Sequence, residues 1–543
     1  MKKHLRLEGA TLTALLLLSP MSVEAATALS EPGIELPADK TQPSLDSENT
    51  ATAQMHSEAE FYLHKVELMD KGGISLSDSK ILSLAAPYVK QVTNMNKLNA
   101  MTEEMTRYVR AHGYPAALVY VPEQEVERST LKIAILPGRI GRVTVDNQSK
   151  LSDVVTGRLT KGLRSGDIIT DKRMETALYN INNLPGVKAA GVLSPGSRQG
   201  ESDLTVTVRD DKQNQTLLYV ENYGSKYSGR YRYGLQETLN NLSRRGDMLR
   251  VGTLISNGDL RNYYGAYEMN IGRSGSTLGL SVSHMNYELG SNLAAMGMKG
   301  KADTISLYGK TPIFQTAKNS LAVTYGYDYR KLEDEISNVG WNSERHSHAV
   351  HVGLSGSARP QRAAIFYDFK LTRGFLGTDS ANAELLDSRS HYSGAFTKAN
   401  ANITAVQALG HSVDILFKGQ GQMASKNLDS SERFYLGGAQ GVRAYPQGEA
   451  SGDQGILGTA ELRYHTPVRG LTLSCYLDGG EVRLQKSGTG TTSLMGWGIG
   501  VSYSKPNSWF ARLDYARRIG GDANLSDAAK AKDRTWFILG KIW

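Results

Sequence analysis

Only one cysteine occurs in the 543 residues, so the chain has no internal disulfide and must be stable through its fold alone. Beyond the N-terminus no stretch stays apolar for the about 18 residues that a spanning helix requires. Charge of one sign is not collected in any block: 62 Lys and Arg are interspersed with 54 Asp and Glu, for a net charge of +8. A nucleic-acid footprint needs cations clustered on one face, so these charges read as solvated surface and pore lining, and no nucleic-acid partner is expected. Catalytic signatures are missing too. Ser487-Gly488-Thr489-Gly490 lacks the following Lys of a phosphate-cradling loop, and neither H-E-x-x-H nor a credible triad occurs. Gly496, Gly498 and Gly500 alternate with Trp497, Ile499 and Val501, which describes a strand with small residues on one face rather than a dinucleotide turn. No enzymatic role, cofactor or metal site is expected.

What is present begins with an address. Lys2, Lys3 and Arg6 precede an apolar run from Ala10 to Leu18, and Val23-Glu24-Ala25 follows. A basic start, a short apolar run and a small-residue site spell a secretory leader over residues 1–25. Residues 26–57 form a polar linker broken by Pro32, Pro37 and Pro43, without a sustained apolar period. It shows no convincing helix.

Residues 58–139 and 140–211 then repeat one order: strand, helix, helix, strand, strand. In the first unit Phe61 to Leu68 reads as a strand, Ser77 caps a helix, and Leu98, Met101, Met105 and Tyr108 line one face of a second helix that ends at Gly113. In the second, Met174, Leu178 and Ile181 recur at helical spacing, and Leu204, Val206 and Val208 alternate with polar neighbours. Each unit can bury one face of a three-stranded sheet under two helices, and such a sheet leaves an open edge where an extended chain can pair.

From residue 212 helical periods vanish. Alternating runs recur, such as Leu249, Val251, Thr253 and Ile255, or Ile365, Tyr367, Phe369 and Leu371, with Arg250, Asp368 and Lys370 interleaved. Apolar residues on one face of strands about ten residues long, with charges on the other, are the pattern of a transmembrane β-barrel. A soluble sandwich would alternate similarly. The leader without a spanning helix, the absence of disulfides and the length of the array favour the barrel. Roughly 330 residues at about 20 per strand and connection predict about 16 antiparallel strands, and in lipid the sheet must close on itself.

One strand carries the best functional clue. Leu471, Leu473, Cys475 and Leu477 alternate with Thr472, Ser474, Tyr476 and Asp478, so Asp478 lies on the polar face and Cys475 among apolar neighbours, where it is an inert filler. If that face lines a barrel, a carboxylate waits inside. Arg443, on a loop beside Gly441, is a candidate partner.

These residues resemble the outer-membrane translocators of two-partner secretion, the haemolysin secretion/activation family, over nearly all of the chain after the leader. Ile181-Asn182-Asn183-Leu184-Pro185-Gly186-Val187 and Leu193-Ser194-Pro195-Gly196 are similar to the family's second POTRA domain. Glu221-Asn222-Tyr223-Gly224-Ser225, Gly229-Arg230-Tyr231-Arg232 and Arg245-Gly246-Asp247 resemble its first barrel hairpin. The most specific match is Phe434-Tyr435-Leu436-Gly437-Gly438 running into Gly441-Val442-Arg443-Ala444-Tyr445 and Gly448-Glu449. It looks like the long sixth extracellular loop that folds back into the pore, here around 434–455. Tyr476, Asp478 and Gly480 match the strand motif that receives its Arg. Ala444 stands where the family usually has Gly, Tyr476 where it has Phe, and Trp543 where the chain usually ends in Phe. Many members begin with a helix that plugs the pore, which the Pro-broken linker argues against.

The resemblance implies a transporter in the outer membrane of a Gram-negative bacterium, with two POTRA domains in the periplasm, acting as a monomer without ATP. They would capture the secretion domain of one exoprotein by strand addition and by contacts to a helix groove. Tyr108 and Tyr114 are candidates for the latter, although Tyr108 serves equally well as core. The exoprotein would thread the barrel unfolded, with Arg443 and Asp478 locking the loop in the pore. Its identity is open among haemolysin, adhesin and haem-acquisition types, as is activation of a cytolysin. Phe537 and Trp543 would form the end signal read by the barrel assembly machinery, and lipid would surround the wall. Two rivals remain: a factor that inserts other barrels, and a solute porin.

Overall fold

The computed structural model describes residues 45–47 and 60–543, apart from 317, 489, 521–525 and 527–529. The expected leader, and most of the segment over 26–57, lie outside the described residues, as does any plug helix there. One piece of that segment is described: Leu45–Ser47 is a strand that pairs in parallel with Gly191, Val192 and Leu193. The strand Val187–Pro195 would otherwise present an open row of backbone donors and acceptors, and this short piece covers part of it.

In the first N-terminal unit, Lys65–Asp70, Thr130–Leu136 and Leu118–Tyr120 form a three-stranded sheet. Helix Met95–Ala111 packs on it because Leu98, Met101, Met105 and Val109 fall on one face. Asn94 caps that helix by accepting the Lys97 N–H at 3.1 Å. The run expected as one strand from Phe61 to Leu68 is split at His64: Phe61–Leu63 pairs with Gln91–Thr93, whereas Lys65–Asp70 pairs with Thr130–Leu136. The second unit has helices Asp153–Thr160 and Asp171–Asn182 over strands Arg139–Asn147, Val187–Pro195 and Glu201–Asp210. Met174, Leu178, Ile181, Leu204, Val206 and Val208 are buried together in its core.

The second unit is seated on the barrel's near turns. Arg158 Nη2 donates to Asn270 Oδ1 at 2.9 Å, and Asn183 Nδ2 donates to Gln315 Oε1 at 2.5 Å.

Beyond it, sixteen antiparallel strands follow in chain order and close into a barrel. The first, Asn214–Glu221, pairs with the last, Asp533–Ile542, from Leu217 opposite Ile542 to Glu221 opposite Ile538. Side-chain alternation sorts the wall into two faces. Leu473, Leu477, Trp497, Ile499, Leu513 and Leu539 are exposed on the outside, where lipid replaces water. Tyr476, Asp478, Arg512 and Asp514, one position out of phase, point into the lumen. Cys475 is on the outer face. At the chain end Trp543 donates its N–H to the Thr216 carbonyl at 3.0 Å, and Lys541 Nζ lies 4.7 Å from the Trp543 ring and 5.1 Å from that of Trp509. An indole on each side thus receives the cation that this outward-facing position carries.

Candidate functional site

Between strands Val413–Ala424 and Gln454–His465 the chain leaves the wall, and residues 434–452 fold into the lumen. Strands Phe434–Tyr435 and Ser451–Gly452 pair at its base. The loop tip is a tight backbone turn: Val442 N–H bonds the Leu436 carbonyl at 2.7 Å, and Gly437 N–H bonds that of Glu449 at 2.8 Å. Glycine is required here by space. A Cβ on Gly441 would sit 1.9 Å from the Leu436 carbonyl oxygen, and one on Gly480 would sit 2.7 Å from Leu436 Cδ2. Gly480 on the wall therefore makes room for the loop, and Gly441 for the loop's own turn. Leu436, Val442, Ala444 and Tyr445 are buried against Leu457, Tyr476, Leu494 and Ala516 of the wall.

That packing delivers Arg443 to Asp478. Arg443 Nε and Nη2 each donate to a carboxylate oxygen of Asp478 at 2.8 Å, and the Arg443 backbone N–H adds a third bond at 3.1 Å. A bidentate guanidinium–carboxylate pair fixes direction as well as distance. Both side chains are buried, Asp478 to 1% exposure, so little water screens the attraction or compensates a lone charge. The guanidinium also lies over the Tyr476 ring, its Cζ 3.1 Å from the centroid.

Sequence reasoning found this pair and missed what surrounds it. Arg443 Nη1 also reaches Glu461 Oε2 at 3.1 Å and Asp514 Oδ1 at 3.4 Å. Arg512 bridges the same two carboxylates, with Nη2 3.0 Å from Glu461 and Nε 2.7 Å from Asp514. Thr459 Oγ1 donates to Asp478 at 2.9 Å, and Trp536 Nε1 donates to the Arg443 carbonyl at 2.7 Å. Three carboxylates thus face two guanidiniums. Strand parity marks Glu461 and Asp514 as lumen-facing, but not that they lie level with Asp478.

The two departures in the motif have local explanations. Ala444 does not adopt a positive φ, so its Cβ costs nothing in backbone strain, and Gly496 opposite gives it room. Tyr476 uses the hydroxyl that Phe would lack: it donates to the Tyr515 carbonyl at 3.2 Å. Its ring covers Gly498, where a Cβ would come within 2.4 Å of it. The small lumen-facing glycines of that strand thus accommodate the loop and its receptor.

The remaining expected residues lie elsewhere. Tyr108 and Tyr114 pack at the margin of the first unit's core. The Tyr108 ring stacks on His112 with centroids 4.0 Å apart, and the Tyr114 hydroxyl accepts the Ser75 N–H at 2.9 Å. Phe537 shares the outer face with Leu539, and Asn222 grips its backbone N–H at 2.8 Å.

A closed sixteen-stranded barrel with an N-terminal POTRA region is the fold of an outer-membrane β-barrel protein. The chain belongs to the haemolysin secretion/activation protein family ShlB/FhaC/HecB, the two-partner secretion transporters: the family model matches residues 200–503, and a ShlB-type POTRA domain model matches residues 61–138. It is 28% identical over 494 residues to the heme/hemopexin transporter protein HuxB of Haemophilus influenzae (strain 86-028NP), covering 88% of this chain and 87% of that one. It is 22% identical over 447 residues to the outer membrane transporter CdiB of Dickeya dadantii, covering 79% and 78%. The fold matches the solved structure of CdiB from Escherichia coli with a TM-score of 0.71 at 20% identity, over 91% of this chain and 93% of that one.

Proposed function

We propose that this transporter exports one large partner protein across the outer membrane, and that the Arg443–Asp478 pair locks the pore loop in place between or during export events. The observation that carries this reading is the loop tip itself, held inside the lumen by a bidentate ion pair where a polypeptide would have to pass. In the membrane the second N-terminal unit, seated on the near turns, faces the periplasm together with the first. The two units capture the partner's secretion domain by strand addition at a sheet edge, where backbone donors and acceptors supply affinity. The partner then enters the barrel unfolded, and folding outside makes its exit effectively irreversible, so no nucleotide is consumed. By likeness to the haem/hemopexin transporter, a haem-acquisition protein is one cargo class, beside haemolysin and adhesin types.

The test is removal of the gene followed by a census of culture fluid and outer membrane. Loss of one secreted protein, restored by the wild-type chain, is expected. A general fall in outer-membrane barrels would instead assign the chain to barrel insertion, and altered solute flux alone to a porin.

A further inference from the structure

The loop has a second set of buried charges, away from its tip. At its root Asp429 and Glu432 flank a short turn, and Asp453 closes the returning strand. Arg345, from strand Trp341–Ala358, bridges Asp429 to Asp334 of strand Asn319–Ile336, and Tyr287 holds the other Asp334 oxygen at 2.7 Å. Glu432 is gripped by Arg330 at 3.0 Å and by Lys398 at 2.6 Å. Arg433 pairs with Asp453 at 3.1 Å, and the Leu428 and Lys486 backbone N–H groups also donate to that carboxylate, at 3.1 and 2.8 Å. Gln422 Nε2 ties the Glu432 and Asp453 carbonyls together, at 2.9 and 3.2 Å.

Four acids, Asp334, Asp429, Glu432 and Asp453, therefore meet four bases, Arg330, Arg345, Lys398 and Arg433. A balanced, hydrogen-bonded network is the arrangement in which buried charge is tolerated, and removing one member orphans another. Tyr287 and Gln422 apart, the wall residues of this root network come from strands Asn319–Ile336, Trp341–Ala358 and Gly394–Ala408. Those of the tip network come from Gln454–His465, Leu471–Arg483, Trp509–Arg518 and Asp533–Ile542. The loop is thus tied to two different parts of the wall.

We propose that the root network is a positioning clamp: by fixing Asp429 and Glu432 to the first set of strands, it aims Arg443 at Asp478 on the second. Arg345 and Glu432 are its principal positioning residues. This rests on the reading of the loop as a locked pore element, but its test needs no export. Ala444 is buried against the wall when the tip is engaged, so Ala444→Cys in a Cys475→Ser background reports tip release as reaction with a thiol reagent too large to enter the packed site. The full chain in native membranes is given the reagent and the labelled fraction followed in time.

With the clamp intact labelling is slow. Glu432→Gln speeds it about tenfold, the lower end expected for loss of a hydrogen bond between charged groups. Arg345→Gln does the same, and Arg345→Lys, which keeps the charge, restores much of the protection. Heat-resistant gel mobility shows in each case that the barrel has closed. Should Glu432→Gln fail to close, the Arg345→Gln and Arg345→Lys pair decides. Equal labelling in all closed variants would overturn the clamp. Failure of the export reading would show separately, as a partner that leaves the cell without this chain.

Discussion

Inside the first N-terminal unit the buried side chains include Leu63, Ile81, Leu98, Met101, Met105, Leu131 and Ile133; inside the barrel they include Arg443, Glu461, Asp478 and Asp514. The same chain buries opposite chemistries because its two regions face different solvents. Around the small units lies water, so burial removes apolar surface from it and stabilises the fold. Around the barrel lies lipid, so the apolar residues turn outward and the lumen is left with polar groups that must satisfy one another. Damage in the first region therefore leaves a cavity, and in the second an orphaned charge.

That contrast is sharpest at Asp478→Ala. Arg443 would lose both 2.8 Å bonds and its backbone N–H bond to Asp478, leaving its guanidinium only the longer approaches to Glu461 and Asp514 and the Tyr476 ring. Breaking a buried pair on one side costs about 3–5 kcal/mol. The loop should become cleavable by protease added outside intact cells, while heat-resistant gel mobility shows an unchanged barrel. In the first unit, Met101→Ala empties a fully buried site and should cost about 2–5 kcal/mol. The expected readout is faster proteolysis of residues 60–138 with the loop still protected. Release of the loop by this change would mean that the two regions are not independent. Asn94→Ala is the smallest of the three. It removes a helix cap with one 3.1 Å bond, worth about 1 kcal/mol, and should raise the same proteolysis rate only slightly.

Much of the architecture was legible because lipid-facing strands write it in period two. Leu471 to Asp478 alternate strictly, and that alone puts Asp478 inside. The strand count was legible from length, and Arg443 from its place in a recognisable motif. Glu461, Asp514, Arg512 and Trp536 were not. Each carries the right parity, but their meeting depends on barrel register: Asp478 lies opposite Thr459 on one side and Gly496 on the other, and Asp514 opposite Gly500. Register across distant strands leaves no local mark in the sequence. The root network escaped for the same reason, its members spanning Arg330 to Asp453. The break at His64 and the pairing of Leu45–Ser47 were hidden because each is decided by which sheet edge is free, a property of the assembled unit.

The central claim is that a charge on the loop tip, buried in the lumen, controls export. It is tested most directly by co-expressing the Arg443→Ala chain with its partner exoprotein and measuring the partner in the culture fluid. The account predicts a folded, membrane-inserted barrel and a partner that stays inside the cell envelope. A partner released at the wild-type rate by that variant would contradict it.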